Sequence, residues 1–269
     1  MTMSSSPDRA ATAAAPSPTN HATGPGATQP PRVALVVGAG DATGAAVARR
    51  FAREGLTVCA VRRDASRLNT LIDAIRADGG TAHGHALDVR DENAVVELVE
   101  RIERDIGAID AMVFNVGVNA RASLLEQDAA QYAELWRTGC FSAMLCSREV
   151  ARRMVPRGRG CMIFTGATAS LRGSSSFAAF AGAKHALRAL AQSAARELAP
   201  HGVHVAHLVV DAAIDTAFIR EHYPQRYALK ADAGIVDPAH IADIYWNLYC
   251  QPRDAWTHEL DVRPWSERW

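Results

Sequence analysis

The sequence predicts an α/β fold, a doubly wound parallel sheet forming a single domain from Arg32 to Trp269, and three observations carry that expectation. Short β-branched runs alternate with longer Ala-rich segments flecked with charge, the pattern of βα units. The first such run, RVALVVGAG, breaks into glycines immediately before a helical pattern. At 269 residues and 48% hydrophobic, the chain suits one large α/β domain or two small ones, and no internal repeat is evident.

After the first strand, ATGAAVARRFAREG reads as a helix with Gly55 as its stop, and LTVCAVRR as the second strand. ASRLNTLIDAIRADGG is the next helix, because Leu68, Leu71, Ile72 and Ile75 recur at three-to-four spacing and a glycine pair ends it. TAHGHALDV gives a third strand. DENAVVELVERIERDIG gives a third helix, with Val95, Leu98, Val99, Ile102 and Ile106 on one stripe. IDAMVFNVG is the fourth strand, and AAQYAELWRTGCFSAMLCSREVARRM a long helix after it. GCMIFTGA, a helix containing FAAFAGAKHAL, and VHVAHLVV complete six strands. Right-handed crossovers place the helices on both faces of the sheet. Residues 215–237 mix aromatics, both charge signs and proline without a clean period, so a lid over a substrate pocket is expected there. PAHIADIYWNLYCQP returns to helical spacing, and THELDVRPW offers a last strand. Residues 1–31, rich in Ala, Ser, Thr and Pro, are expected to be a disordered tail and lack a signal-peptide core.

Lys plus Arg equal Asp plus Glu at 29 each, so net charge draws the protein neither to nucleic acid nor to anionic lipid. No apolar run approaches the ~20 residues that cross a bilayer. A small-molecule substrate, no nucleic acid, no membrane and a cytoplasmic location are the expectations. The five cysteines lack the short paired spacings of zinc or redox sites, and no metal is expected. They read as buried small hydrophobes.

The turn VVGAGDATGAA spaces Gly38, Gly40 and Gly44 as G-x-G-x-x-x-G between a strand and the helix that Thr43 and Gly44 open. Such a turn lets backbone N–H groups and a helix N-terminus meet a pyrophosphate. The second strand ends in Arg62 and Arg63, where an NAD site usually offers an acid to the ribose; arginine there pairs with a 2′-phosphate. NADP is therefore the expected cofactor, with NAD possible because Asp41 and Asp64 lie close in sequence.

These residues together resemble the short-chain dehydrogenase/reductase family, over nearly everything from Arg32 to the sixth strand. The resemblance implies a Rossmann-type fold and a homodimer or homotetramer. The family's G-x-x-x-G-x-G turn falls on Gly38, Ala42 and Gly44, its Asp-Val contact to adenine on Asp88 and Val89, and its Asn-Ala-Gly on Asn115 to Gly117. Ile214 and Thr216 fit the positions that meet the nicotinamide, while Asp211 and Ala212 stand where the family has Pro-Gly.

The catalytic group departs further. Lys184 keeps its place, but the family's tyrosine is Phe180, its serine is Ala167 and its asparagine is Gly139. Positioned proton transfer contributes typically 10²–10⁴-fold, so its loss raises the barrier by ~3–5 kcal/mol unless another group supplies the proton. Lys184, Thr168 beside the vacant serine position, Thr165, Ser170 and Ser174 to Ser176 are the candidate stand-ins. Two expectations follow: an NAD(P)(H)-dependent oxidoreductase acting on a small carbonyl or alcohol with a non-standard proton donor, or a catalytically impaired NADP(H)-binding sensor or partner module. Non-redox lyase or isomerase chemistry is the weaker third. Phe218, Tyr223 and Tyr227 make an apolar or aromatic substrate plausible.

Overall fold

The computed structural model describes residues 31–117 and 120–268, so the predicted tail lies outside the described residues except for Pro31. Seven strands form one sheet: β1 Arg32–Val37, β2 Thr57–Arg62, β3 Ala82–Ala86, β4 Ala108–Phe114, β5 Gly160–Ala167, β6 Val203–Val210 and β7 Glu259–Val262. Their order is β3-β2-β1-β4-β5-β6-β7, with every neighbouring pair parallel. The last strand is the one THELDVRPW offers.

The central strands are apolar on both faces because helices cover both. Along β1, Ala34 and Val36 enter one core with Phe51, Leu68, Ile72, Ile241 and Tyr245. Val33, Leu35 and Val37 enter the other with Val95, Ile102, Val150, Leu187 and Ala191. The first core is covered by α1 Thr43–Arg53, α2 Ala65–Ala77 and, later in the chain, the helix Pro238–Tyr249. The second is covered by α3 Glu92–Asp105 and two later helices. At α2 and α3 the starts are fixed chemically: Asp64 accepts from the amides of Ser66 and Arg67 at 3.0 and 3.2 Å, and Asp91 from those of Asn93 and Ala94 at 2.9 and 3.2 Å.

The expected long helix after β4 is divided. It runs as α4 Ala129–Trp136, one wide π turn Arg137–Phe141, and α5 Ser142–Arg157. Gly139 lies in the wide turn, where a Cβ would sit 3.2 Å from the Cβ of Ala183 on α6 Ala178–Leu198. The close approach of the two helices thus depends on a missing side chain. Residues 215–237 are more regular than their sequence suggests, folding as α7 Ala217–His222, α8 Pro224–Ala228 and a tight turn Leu229–Asp232 before α9 Pro238–Tyr249. The segment is anchored at both ends, since Ile214 bridges Val236 and the Val236 amide donates to the Ala213 carbonyl at 2.9 Å.

Candidate active site

The order β3-β2-β1-β4-β5-β6 reverses direction between β1 and β4, and a cleft opens where the carboxyl ends of those strands diverge. Its first part, about 440 Å³, is lined by Gly38, Gly40, Arg62, Arg63, Asp88 and Val89. Its second, about 660 Å³, is lined by Ala167, Thr168, Phe180, Lys184, Ile214 and Thr216. Asn115 and Gly117 line both, so the two cavities meet at the end of β4.

The three glycines of the turn do three different things. Gly38 has φ +85°, and a Cβ there would lie 2.7 Å from the Asn115 carbonyl oxygen, which forces glycine twice over. A Cβ on Gly44 would lie 2.3 Å from the Gly38 carbonyl oxygen, so Gly44 lets α1 start directly under the turn. Gly40 has no such neighbour: the nearest atom to its Cβ position is 4.0 Å away, and it lines the cleft. The Asn115 side-chain amide donates to the Gly38 carbonyl at 3.1 Å, tying the end of β4 to the glycine turn. Thr43 and Gly44 do not line the cleft as expected; both are buried at the base of the turn.

The charged residues around the first cavity separate into paired and unpaired. Arg62 donates to Asp41 at 2.6 Å and Arg67 donates to the same carboxylate at 2.8 Å. The Arg62 hydrogen bond holds the Asp41 carboxyl below the usual range. Asp41 therefore neutralises an arginine, and Asp64 caps α2. Arg63 makes no side-chain hydrogen bond or close ion pair among the described residues, its charge reaching Asp88 only at longer range, and it lines the cavity, so it is the better placed of the two arginines for a phosphate. Asp88 is gripped by Arg90, whose Nε lies 2.9 and 3.0 Å from its two oxygens, and this grip lowers its pKa to about 2. An open glycine beside a helix N-terminus, a free arginine and an aspartate held ionised suit a dinucleotide laid across the strand ends.

Lys184 marks the junction of the cavities. It does not snorkel to solvent: it is 6% exposed and its Nζ donates to the Thr165 carbonyl at 2.8 Å, with Gly117 close by. Burial lowers its pKa from 10.5 to about 8, because water is not there to solvate the ammonium.

The comparisons with known proteins agree with this geometry. Residues 32–226 match the model of the short chain dehydrogenase family. This protein belongs to the short-chain dehydrogenase family. Among its relatives, gluconate 5-dehydrogenase of Gluconobacter oxydans is 32% identical over 172 residues, 64% of this chain and 67% of that protein. A short-chain dehydrogenase structure from Rhodopseudomonas palustris is 40% identical, with a TM-score of 0.75 over 87% of this chain and 99% of that one. A metagenomic short-chain oxidoreductase solved in complex with NADP is 28% identical, also with a TM-score of 0.75, over 87% and 97% of the two chains.

In this short-chain dehydrogenase, Ala167 and Phe180 line the second cavity with no acidic hydrogen to offer. The candidate replacement hydroxyls sort clearly. Thr165 Oγ1 is hydrogen-bonded to Tyr245 on the far face of the sheet. Ser170 is wholly buried, its Oγ accepting from the Ala167 amide at 3.1 Å. Ser175 and Ser176 do not line the cavity; Ser174 and Thr168 do. Thr168 is distinguished by its partner, for its Oγ1 donates to Asp211, a carboxylate only 4% exposed at the end of β6. Asp211 is a residue the sequence flagged only as a departure from Pro-Gly; a charged residue closing an eight-residue apolar strand was the available signal.

Other expectations are corrected. Of the three aromatics assigned to the pocket, Phe218 lines it, while Tyr223 and Tyr227 do not. Arg172, Arg226 and Glu267 also line it, and neither arginine has a side-chain partner among the described residues. His185 is exposed, as its place on the helix implies. Cys140 is buried, in keeping with a packed small hydrophobe, and burial raises its thiol pKa. Cys250 is exposed, unlike the other four cysteines. Among the described residues no cluster of three or more His, Cys, Asp or Glu is arranged to hold a metal, and no helix is long and apolar enough to cross a membrane.

Proposed function

We propose that this protein is an NADP(H)-dependent oxidoreductase acting on a small carbonyl or alcohol, with a proton donor other than tyrosine. The observation that carries the reading is the continuous cleft along the strand ends, with buried Lys184 where its two parts meet. The nicotinamide coenzyme supplies hydride when bound. Gly38 and Gly40 present the turn to the pyrophosphate, Arg63 faces a 2′-phosphate, and Asp88 and Val89 border the adenine. Asn115, Gly117 and Lys184 hold the ribose region, and Ile214 and Thr216 border the nicotinamide. The NADP complex of a 28% identical relative supports the choice of coenzyme. Arg172, Lys184 and Arg226 against Asp211 and Glu267 leave this cavity net positive, which suits a substrate bearing an acid group beside Phe218. Residues 215–237 cover this end as a lid, and the active form is a homodimer or homotetramer in the cytoplasm.

The test is NADPH and NADH titration by fluorescence, then single-turnover oxidation of bound NADPH against a panel of aldehydes and ketones. Binding with turnover is the expected result; absence of binding at millimolar coenzyme sinks the proposal. A second reading, a binding module without turnover, is favoured by Ala167, Phe180 and Gly139. It is separated by Ala167→Ser/Phe180→Tyr: a gain of ~10²-fold or more over an inactive parent supports it, whereas a parent with its own proton donor gains less than ~10-fold.

A further inference from the structure

The oxidoreductase reading leaves one question, namely which atom delivers the proton beside Phe180, and the inference here rests on that reading. We propose that Thr168 is the catalytic hydroxyl of this site and that Asp211 positions it and exchanges its proton. Four facts on independent elements converge. Thr168 is the first residue after β5, half-buried, and adjoins the position of Ala167. Its Oγ1 reaches Asp211 across 43 residues of sequence. Both side chains line the cavity that holds Lys184, Ile214 and Thr216. Finally, Asp211 has no cation and no second side-chain donor among the described residues, although a carboxylate so buried ordinarily acquires one.

That last fact separates the pair from a structural hydrogen bond. The turn after β5 is already closed without it, by Ser170 Oγ on the Ala167 amide and by the Thr168 carbonyl accepting from the amides of Leu171 and Arg172 at 3.0 and 3.2 Å. The Asp211 backbone is likewise fixed by its amide donating to the Val262 carbonyl at 2.9 Å. Neither side chain is needed to hold its own backbone. What the contact adds is a hydroxyl at the cavity wall with a carboxylate acceptor behind it.

The transfers balance as follows. In reduction, the carbonyl carbon gains a hydride with its electron pair from the reduced nicotinamide coenzyme, and the carbonyl π pair moves to oxygen. That oxygen takes the hydroxyl proton of Thr168, and a proton drawn from solvent water through the Asp211 carboxylate replaces it on Thr168, the hydroxide returning to solvent. Oxidation of an alcohol reverses each transfer, with Asp211 receiving the proton in the direction its hydrogen bond already points. Lys184, committed through Nζ to the Thr165 carbonyl, stays free of this duty.

The experiment uses the full chain with bound NADPH and the best carbonyl of the panel above. Thr168→Val and Asp211→Asn each slow single-turnover hydride transfer by ~10²-fold or more, and the double variant is no slower than the slower single one, as for groups acting as a unit. Thr168→Ser restores the rate to within ~10-fold of the parent, and coenzyme affinity by fluorescence changes by less than ~3-fold in all of them. A readout independent of turnover is the infrared carboxyl band of Asp211, identified by its loss in Asp211→Asn and displaced in Thr168→Val. If Asp211→Asn does not fold, the valine and serine variants at Thr168 with that band carry the test. Undiminished turnover in Thr168→Val, or loss in Ser174→Ala instead, overturns the relay alone. A parent that binds NADPH and never oxidises it overturns the oxidoreductase reading, and the relay with it.

Discussion

Replacing Lys184 by methionine removes the ammonium and keeps the packed stem, and its effect on stability follows from burial. In the folded chain the lysine pKa falls from 10.5 to about 8, so below pH 8 the fold carries a charge it solvates poorly. Between those values the unfolded chain binds more protons than the folded one, so the parent gains stability as pH rises through that window. From a free-energy cost of 1.36 kcal/mol per pKa unit, the gain between pH 7 and pH 10 is about 2.5 kcal/mol. Lys184→Met lacks this gain, while every other titrating group is common to both proteins. The stability difference between variant and parent therefore shifts by about 2.5 kcal/mol against the variant over that range, whatever pH-independent cost attaches to losing the hydrogen bond to Thr165. Urea unfolding of both proteins without coenzyme at four pH values measures it. A difference constant to within ~0.5 kcal/mol across the range refutes the premise that Lys184 is buried as a poorly solvated cation.

The glycine turn and the arginine pair give two further expectations. Gly44→Ala places a Cβ against the Gly38 carbonyl and costs ~1–3 kcal/mol in thermal or urea unfolding, whereas Gly40→Ala, with no atom closer than 4.0 Å, unfolds like the parent and shows its effect in NADPH affinity. Equal stability of the two variants contradicts the separation of roles. Arg63→Ala weakens NADPH by ~10-fold and leaves NADH nearly unchanged, while Arg62→Ala, which releases Asp41, changes the NADPH-to-NADH ratio less; fluorescence titration of both coenzymes decides, and the reverse ranking sinks the assignment. At the substrate end, 4-carboxybenzaldehyde is turned over with a lower KM than its methyl ester, and Arg172→Ala/Arg226→Ala abolishes the preference; a parent that favours the ester contradicts the acid-binding reading.

Most of the sheet was legible because burial on both faces writes itself as short apolar runs: six of the seven strands lie within a run identifiable beforehand, and β4 begins one residue ahead of its own. The wide turn at Arg137–Phe141 was not, since one extra residue in a turn leaves the apolar spacing on either side intact. Asp64 shows a different limit. An acid after the second strand serves a ribose or a helix cap equally well in sequence, and only the amides of Ser66 and Arg67 decide between them. At the site, the glycine turn and the arginine pair were legible in the residues themselves, and Asp88, Asn115 and Lys184 through the family resemblance. The Thr168–Asp211 contact was not, because it depends on β5 and β6 ending at the same height, with Ala167 in register with Val210.

The meeting of Gly139 and Ala183 bears on the order in which this sequence can change. With a Cβ at residue 139 lying 3.2 Å from the Ala183 methyl, an asparagine at that position presses on α6, which must give by a few tenths of an ångström. Ala167 and Phe180 line a cavity and meet no such contact, whereas asparagine at 139 is fully relieved only by Ala183→Gly. That substitution inserts a helix-weakening residue one place before Lys184 and costs roughly 0.5–1 kcal/mol before it yields any benefit. Descendants of this sequence therefore meet a ratchet at one position: asparagine at 139 loads the contact with α6 or draws on a weaker helix, whereas refining a substitute proton donor touches neither.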